Sequence, residues 1–121
     1  MSYSITDLLI ESKTATVDIP AYRLLKYDVS GDHTVTLATD GSQYILGVSM
    51  CSVSQGMCLD VMTMGVHGIK IASSIIAGQP ITADADGCGV LAGDGDYIVG
   101  FAIKTGVGNE IIPVRIIGQR I

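Results

Sequence analysis

The chain carries the stretch Tyr44-Ile45-Leu46-Gly47-Val48 and repeats it 53 residues later as Tyr97-Ile98-Val99-Gly100-Phe101. The same spacing continues downstream to a second glycine pair, Gly65 and Gly118. A repeat at fixed spacing is the sequence mark of a duplicated supersecondary unit. The repeated residues are short runs of β-formers between turn residues, so the unit is made of short strands.

A further match lies upstream, where residues 24–28 align with residues 80–84 at a spacing of 56. The change of spacing indicates that the second copy has lost three residues in a loop. We therefore predict an all-β fold, a small β-sandwich or barrel-like body, with two repeated halves at about residues 20–65 and 78–118. In that fold Gly47 and Gly100 should occupy matching positions, as should the downstream glycine pair.

Turn residues divide the chain into about eight or nine short strand-like runs with no convincing helix. The runs are residues 16–19, 22–29, 34–37, 44–51, 57–64, 66–71, 97–104 and 110–117. Two of the predicted hairpins have equivalent loops at residues 52–56 and 105–109. Pro113 falls inside the last run, and because proline cannot donate a ladder hydrogen bond it predicts an edge strand or a bulge there.

The N-terminal segment stands apart from this pattern. Residues 7–11 form a short helix-like patch that is too short to be stable alone. We interpret residues 1–13 as an N-terminal arm that docks on another subunit, with a frayed terminus as the alternative, and residues 14–121 as a single β domain. The apolar Leu8, Leu9 and Ile10 are the candidate anchors for a capsid or subunit contact.

Composition restricts the classes of function. Hydrophobic residues make up 48% of the chain and charged residues 16%, which is hard to bury in one small core and predicts a face covered by a neighbouring subunit. The net charge of −5 argues against nucleic acid as a partner. No apolar run approaches the roughly 20 residues of a membrane span, and no secretory signal is present. We therefore expect a soluble protein made in the cytoplasm, and the three cysteines fit a reducing compartment.

Catalytic chemistry is sparse. A nucleophile needs a base held nearby by a third group, and the histidines, His33 and His67, lie in no recognisable motif. Cys51 and Cys58 bracket the first hairpin loop, and a zinc site would need Cys88 and His67 to complete four ligands without the usual spacing. We interpret the cysteines as small apolar fillers of adjacent strands and expect no enzyme activity, metal or cofactor.

Two acidic stretches look like fragments of calcium loops. They are residues 84–87, Asp-Ala-Asp-Gly, and residues 94–96, Asp-Gly-Asp. A calcium loop needs further oxygen ligands and a closing glutamate at fixed spacing. Turn chemistry is the favoured interpretation, with a weak structural ion site as the alternative.

The order of three segments in the second half resembles a known family. Residues 77–87, AGQPITADADG, are followed by residues 98–102, IVGFA, and then by residues 108–114, GNEIIPV. This order resembles the capsid decoration, or cement, proteins of tailed bacteriophages, over roughly residues 20–118. The resemblance implies a β-rich body, usually a homotrimer, that binds the major capsid protein on the outer surface of the phage head. Its role is then structural, because it clamps neighbouring capsomers within the virion; the cysteines and the arm depart from the family pattern.

A second resemblance is local. Residues 76–82 are similar to the turn of SAF-type domains, which are small β-clip modules in sugar-acid enzymes and pilus assembly proteins. That resemblance implies a ligand-binding or accessory module. It leaves the repeat of Tyr-Ile-x-Gly unexplained, so the decoration-protein resemblance ranks first.

Overall fold

The computed structural model describes residues 9–120, with side chains described as far as residue 117. The described residues form nine strands and no helix, and hence no helix that could span a membrane. The strands are β1 Leu9–Ala15, β2 Leu24–Tyr27, β3 Thr34–Leu37, β4 Gly47–Ser49, β5 Cys58–Lys70, β6 Pro80–Ala83, β7 Gly89–Leu91, β8 Tyr97–Ala102 and β9 Ile111–Arg120. The predicted all-β class is confirmed.

The first five strands close into a barrel. They hydrogen-bond in the order β1-β3-β2-β4-β5, and β5 pairs back onto β1 to complete the ring. Only the β1–β3 pair is parallel, joining Thr14 to Thr34 and Ala15 to Val35. Closure leaves this half with no open side to its sheet, which is one way that small β domains avoid edge-to-edge aggregation.

The remaining strands repeat that arrangement. The second ladder runs β5-β9-β8-β6-β7, and a parallel bridge from Ile71 to Gly89 returns β7 to the end of β5. Strand β5 is long because it serves both units. Its residues 58–64 are the last strand of a first half, residues 9–64, and its residues 65–70 begin a second half, residues 65–120.

Strand register is the same in the two halves. Val48 pairs with Met62 in the first half, and Phe101 pairs with Arg115 at the same spacing of 53 in the second. A Cβ added at Gly47 would overlap the backbone of Met62, and one added at Gly100 would overlap the backbone of Arg115. Both glycines are therefore required by the same close approach of backbones. For Gly65 and Gly118 the match stays a prediction.

The repeated unit starts earlier in the chain than residue 20. Residues 10–14 pair with β5 in the register that residues 66–70 have with β9. Residues 9–13, which the sequence analysis assigned to an arm, are thus part of strand β1, and their stability comes from the ladder and not from helix formation. Residues 1–8 of the predicted arm, with Leu8, lie outside the described residues.

Two local predictions were wrong. Residues 16–19 form no strand, because the Thr16 N–H donates to Val35 at 3.0 Å while the Ile19 N–H donates to Val53 at 2.9 Å. The segment thus passes from a hydrogen bond with β3, at Val35, to a hydrogen bond with the loop after β4, at Val53. Pro113 lies in β9, which has β5 and β8 on either side. It is tolerated because the β8–β9 ladder ends beside it, at the pair Ala102 with Val114. The Pro113 carbonyl accepts a hydrogen bond from the Ile103 N–H at 3.0 Å, and that bond needs no donor on the proline.

The core has two packed clusters with matched interiors. Position by position, the first half holds Ala15 beside Val35 where the second half holds Ile71 beside Gly89. We call the second ladder, with the Ile71–Gly89 bridge that links its two ends, the second barrel. A Cβ on Gly89 would lie 2.9 Å from Ile81 Cγ2 and 3.4 Å from Ile71 Cγ2. The larger residue of the pair is Val35 on β3 in the first half and Ile71, just after β5, in the second half. The two pairs therefore contain the same number of side-chain carbons.

Candidate interaction surfaces

The two histidines lie in different halves. His33 precedes β3, and its carbonyl accepts a hydrogen bond from the Thr14 N–H at 2.8 Å. His67 lies on β5, with its ring 5.6 Å from that of Tyr22 and its Nδ1 2.9 Å from the Gly68 carbonyl. The His67 ring is therefore held by contacts within the fold, whereas the His33 side chain is exposed.

The cysteines differ in environment. Cys88 is buried, as an apolar filler should be, and burial raises the pKa of its thiol. Cys51 and Cys58 are exposed, so the prediction that they fill space between strands was wrong. Among residues 9–117, no cluster of three or more histidine, cysteine, aspartate or glutamate side chains could hold a metal ion.

The acidic stretches make turns. The Asp84 carboxylate accepts hydrogen bonds from the backbone N–H groups of Asp86 at 2.8 Å and Cys88 at 2.9 Å. In the first half, the equivalent Asp28 accepts from the Ser30 N–H at 2.8 Å and the Thr16 hydroxyl at 2.8 Å. These bonds, the Ser30 one first, lower the pKa of Asp28. The carboxylates are side-chain caps on tight turns, as the favoured interpretation required.

Among residues 9–117, one charged side chain is buried. Lys13 is 7% exposed at the position that Ile69 holds in the second half. Its Nζ lies 3.0 Å from Glu11 Oε1 and 5.3 Å from the centre of the Tyr27 ring. The hydrogen bond to Glu11 is the main reason that the pKa of Lys13 is raised. The ammonium is held by local partners and fixes β1 against the turn that follows β2.

The clearest apolar surface lies where β1 meets the middle of β5. Leu9 is 48% exposed and pairs with Met64, which is 40% exposed. Ile10 and Val66, which are equivalent positions in the two halves, are also exposed. We call these four residues the β1–β5 patch. A groove of about 280 Å³ begins at Met64 and is lined further by Gly65, Arg115, Ile116 and Ile117.

Two of the three predicted contact residues, Leu9 and Ile10, are therefore exposed on β1, and their role in a contact stays a prediction. Sequence reasoning missed their partners on β5. The signal that was available was the run of methionines at 57, 62 and 64, which suggested gap filling or an interface.

The two halves also differ at the loops beyond their hairpins. In the second half Ile76 and Val107 are exposed beside the bridge between Ile75 and Gly106. The equivalent first-half loops surround an open depression of about 400 Å³ that includes Ser52 and Ser54. At the equivalent positions, Ile76 and Val107 thus replace Pro20 and Ser54 of the first half.

Comparison with known proteins identifies the fold. No protein-family model matches the chain, and no curated protein matches it. Among solved structures it is similar to the N base of head fiber gp8.5 in bacteriophage phi29, with a TM-score of 0.75 and 20% sequence identity. The match covers 94% of this chain and 98% of that one. The two chains share a fold over almost their entire lengths.

Proposed function

We propose that this chain is a structural protein of a bacteriophage head and acts by binding, without catalysis. The observation that carries the proposal is the fold match to a head fiber base, because the match covers 94% of this chain and 98% of that one. The order of segments in the second half, which resembles capsid decoration proteins, supports the same class independently of the fold. The protein would be made in the host cytoplasm and reside on the outer surface of the virion.

In this role the chain is a decoration, or cement, protein. Its partner is the major capsid protein, and it works as a homotrimer that bridges capsomers. A ligand that binds the assembled shell and not its separate subunits stabilises the shell by linkage. Three copies tied together convert a modest affinity per contact into a strong overall attachment.

The β1–β5 patch supports a contact of this kind. Its four side chains, among them Leu9 and Ile10, are each roughly 40–50% exposed. Covering the remaining area gains about 1 kcal/mol for each side chain, or roughly 4 kcal/mol per copy before the cost of association. That is too little for one chain to stay attached and enough for a trimer that engages three sites. We also propose Leu8 as a contact residue, as the sequence predicts.

The test is co-sedimentation of purified protein with assembled heads from the same phage. Leu9→Asp should lower occupancy at least tenfold, because it places a charge in an apolar contact. Leu91→Asp is the matched control, since Leu91 is as exposed as Leu9 but lies on β7 in the second half. Wild-type protein that fails to sediment with heads would refute the head-binding role. Equal occupancy for wild type and Leu9→Asp would remove the β1–β5 patch from it.

A further inference from the structure

A polar groove lies where the second half of the chain meets the first. Its volume is about 310 Å³. Arg23 lines it from the first half, and the second half contributes Lys70, Asp84, Asp86 and Asn109 to its lining. We call it the junction groove, and it shares no residue with the β1–β5 patch.

Two cationic side chains of the junction groove have no counter-ion. Arg23 Nη1 donates to the Asp86 carbonyl oxygen at 3.1 Å, whereas Arg23 Nε is buried and no described residue accepts its hydrogen. The one ion pair among residues 9–117 joins Lys13 to Glu11, so neither Arg23 nor Lys70 is paired with a described carboxylate. A buried donor without an acceptor is rare in native proteins, and it indicates an acceptor that the chain itself does not supply.

The equivalent place in the first half is closed by a side chain. There the Thr16 hydroxyl donates to Asp28 Oδ2 at 2.8 Å. Ala72 holds the position of Thr16 in the second half, since the N–H groups of the two residues donate to equivalent carbonyl groups of β3 and β7. Asp84, at the position of Asp28, therefore has no such hydroxyl beside it. The alanine leaves the junction groove open where the threonine fills its counterpart.

Two residues at the groove adopt the left-handed backbone conformation that favours glycine. Tyr22 has a φ of 66° and Asn109 has a φ of 72°, and they are the two non-glycine residues with positive φ in the described part of the chain. Their equivalents in the other half are Gly78, at 92°, and Gly56, at 88°. The N–H groups of each pair donate to carbonyl groups at equivalent positions, which are Ser49 and Ala102 for the first pair and Ile71 and Ala15 for the second.

The strain is therefore confined to one member of each pair, and in both pairs that member lies at the groove. Asn109 lines the groove, and Tyr22 precedes Arg23 in the chain. A residue with a side chain is disfavoured in this conformation, and such strain is concentrated at functional sites. A glycine at either position would satisfy the turn and would place no side chain there.

Tyr22 and Ile111 form an apolar rim beside the groove. The Tyr22 carbonyl accepts a hydrogen bond from the Lys70 N–H at 3.0 Å, and Ile111 is the cross-strand partner of Lys70. Both side chains lie over Gly68, since a Cβ there would be 2.7 Å from Ile111 Cγ2 and 3.3 Å from Tyr22 Cδ1. Gly68 and Lys70 are two residues apart on β5 and so face the same side of the sheet. Tyr22 is 37% exposed and Ile111 is 51% exposed.

The groups in the groove select an anion over a cation. Asp84 Oδ1 already accepts two backbone N–H groups, whereas Arg23 and Lys70 have no carboxylate partner among the described residues. A hydrogen bond from a guanidinium or an ammonium to a carboxylate is roughly twice as strong as a neutral one. A singly charged carboxylate suits the site better than a phosphate, because a phosphate group carries close to two negative charges at pH 7 and Asp86 lies nearby.

We propose that the junction groove binds an aspartate or glutamate side chain of a partner polypeptide. Arg23 and Lys70 hold the carboxylate, and the Asn109 amide donates a further hydrogen bond. Apolar residues that flank the acidic residue lie on Tyr22 and Ile111. The site is separate from the β1–β5 patch, and its partner need not be a head protein.

The experiment follows the arginine Nε–H signals in NMR spectra of the full-length protein labelled with ¹⁵N-arginine. Two peptides are titrated, acetyl-Leu-Glu-Leu-amide and acetyl-Leu-Gln-Leu-amide, which are nearly equal in shape and differ in charge. The glutamate peptide should shift the Arg23 signal saturably at millimolar concentrations, and the glutamine peptide should bind at least about fivefold more weakly. The Arg115 signal should not move, because Arg115 lines the groove beside Met64 instead.

Substitutions in the groove separate a binding role from a structural one. Lys70→Gln should weaken binding of the glutamate peptide at least about fivefold, and Lys104→Gln, at an exposed lysine outside the groove, is the matched control and should not. Ala72→Thr copies the first half and should weaken binding by filling the groove. Asn109→Gly copies Gly56 and should weaken binding without lowering the melting temperature, because it removes the amide and relieves the strained backbone.

Several outcomes would overturn the proposal. An Arg23 signal that stays unchanged with the glutamate peptide, equal affinities for the two peptides, or wild-type affinity in both Lys70→Gln and Ala72→Thr would each do so. Butyrate that binds as tightly as the glutamate peptide would overturn the polypeptide source and leave a site for free carboxylates. Circular dichroism melts establish that each variant is folded. Because heads are absent from this assay, its failure does not bear on head binding.

Discussion

Exchanging one pair of core residues between the two halves tests whether their interiors are equivalent at the level of single atoms. In the second barrel Ile71 lies beside Gly89, and a Cβ on Gly89 would meet Ile81 Cγ2 at 2.9 Å. Gly89→Val alone should therefore overpack the barrel and cost about 2 kcal/mol. Ile71→Ala alone should leave a cavity and cost about 3 kcal/mol.

The double variant I71A/G89V recreates the Ala–Val pair of the first barrel. The number of side-chain carbons at the two positions is unchanged, and volume-conserving swaps cost under about 1.5 kcal/mol. The two substitutions should then be coupled by roughly 3.5 kcal/mol, which is slightly above the usual range for residues in contact. Urea unfolding of the four proteins, analysed by midpoint and slope, measures that coupling.

The reciprocal swap in the first barrel, A15I/V35G, is the matched control and should show coupling of the same sign. Additive effects in the second barrel, with a coupling below about 0.5 kcal/mol, would mean that the clash at Gly89 is relieved elsewhere. The two interiors would then be equivalent in backbone structure but not in side-chain packing.

Three further predictions follow from the titratable and reactive groups. The pKa of Asp28 is lowered by hydrogen bonds that the unfolded chain lacks. The stabilising effect of the Asp28 carboxylate is therefore present above the unfolded pKa and is lost as pH falls through the folded value. The Asp28→Asn variant should accordingly show a smaller fall in melting temperature below about pH 4 than the wild type. The pKa of Lys13 is raised, so its contribution is complete below its unfolded pKa, about 10.4, and is lost as pH rises through the folded value. Glu11→Gln should therefore destabilise at neutral pH by about 1–3 kcal/mol, whereas Lys13→Ile, copying the second half, should not, and a denaturant series at pH 7 separates them. Cys88 should react with a maleimide at least tenfold more slowly than the two exposed cysteines, because it is buried and its thiol pKa is raised; equal rates followed by mass spectrometry would contradict the described packing.

The repeat could be predicted from sequence wherever the backbone leaves little choice of residue. Gly47 and Gly100 are both glycine because any side chain would overlap the neighbouring strand, and such constraints keep residue identity as well as position. The turn aspartates Asp28 and Asp84 are retained for the hydrogen bonds they accept. Those residues made it possible to predict the all-β class, the turns and the two halves from sequence.

Strand β1 was missed for the opposite reason. It matches the second part of β5 in register, but Lys13 stands where the second half has Ile69, and Ala15 where it has Ile71. Packing constrains the sum of neighbouring volumes and the pairing of a buried charge, not the residue at each position. The ladder is therefore conserved between the halves while the residues are not, and a comparison of letters cannot detect it.

The exposed surfaces could not be predicted from sequence, because the burial of a strand face depends on what packs against it. Leu24 and Pro80 occupy equivalent positions, and one is fully buried while the other is not. Both residues hold the same position in the fold, so the difference in their burial follows from what surrounds each half. Where the two halves agree, the duplicated barrel accounts for the residue. Where they differ, as at buried Met62 and exposed Arg115, the fold is satisfied by either residue, and the residue type follows what packs against each position.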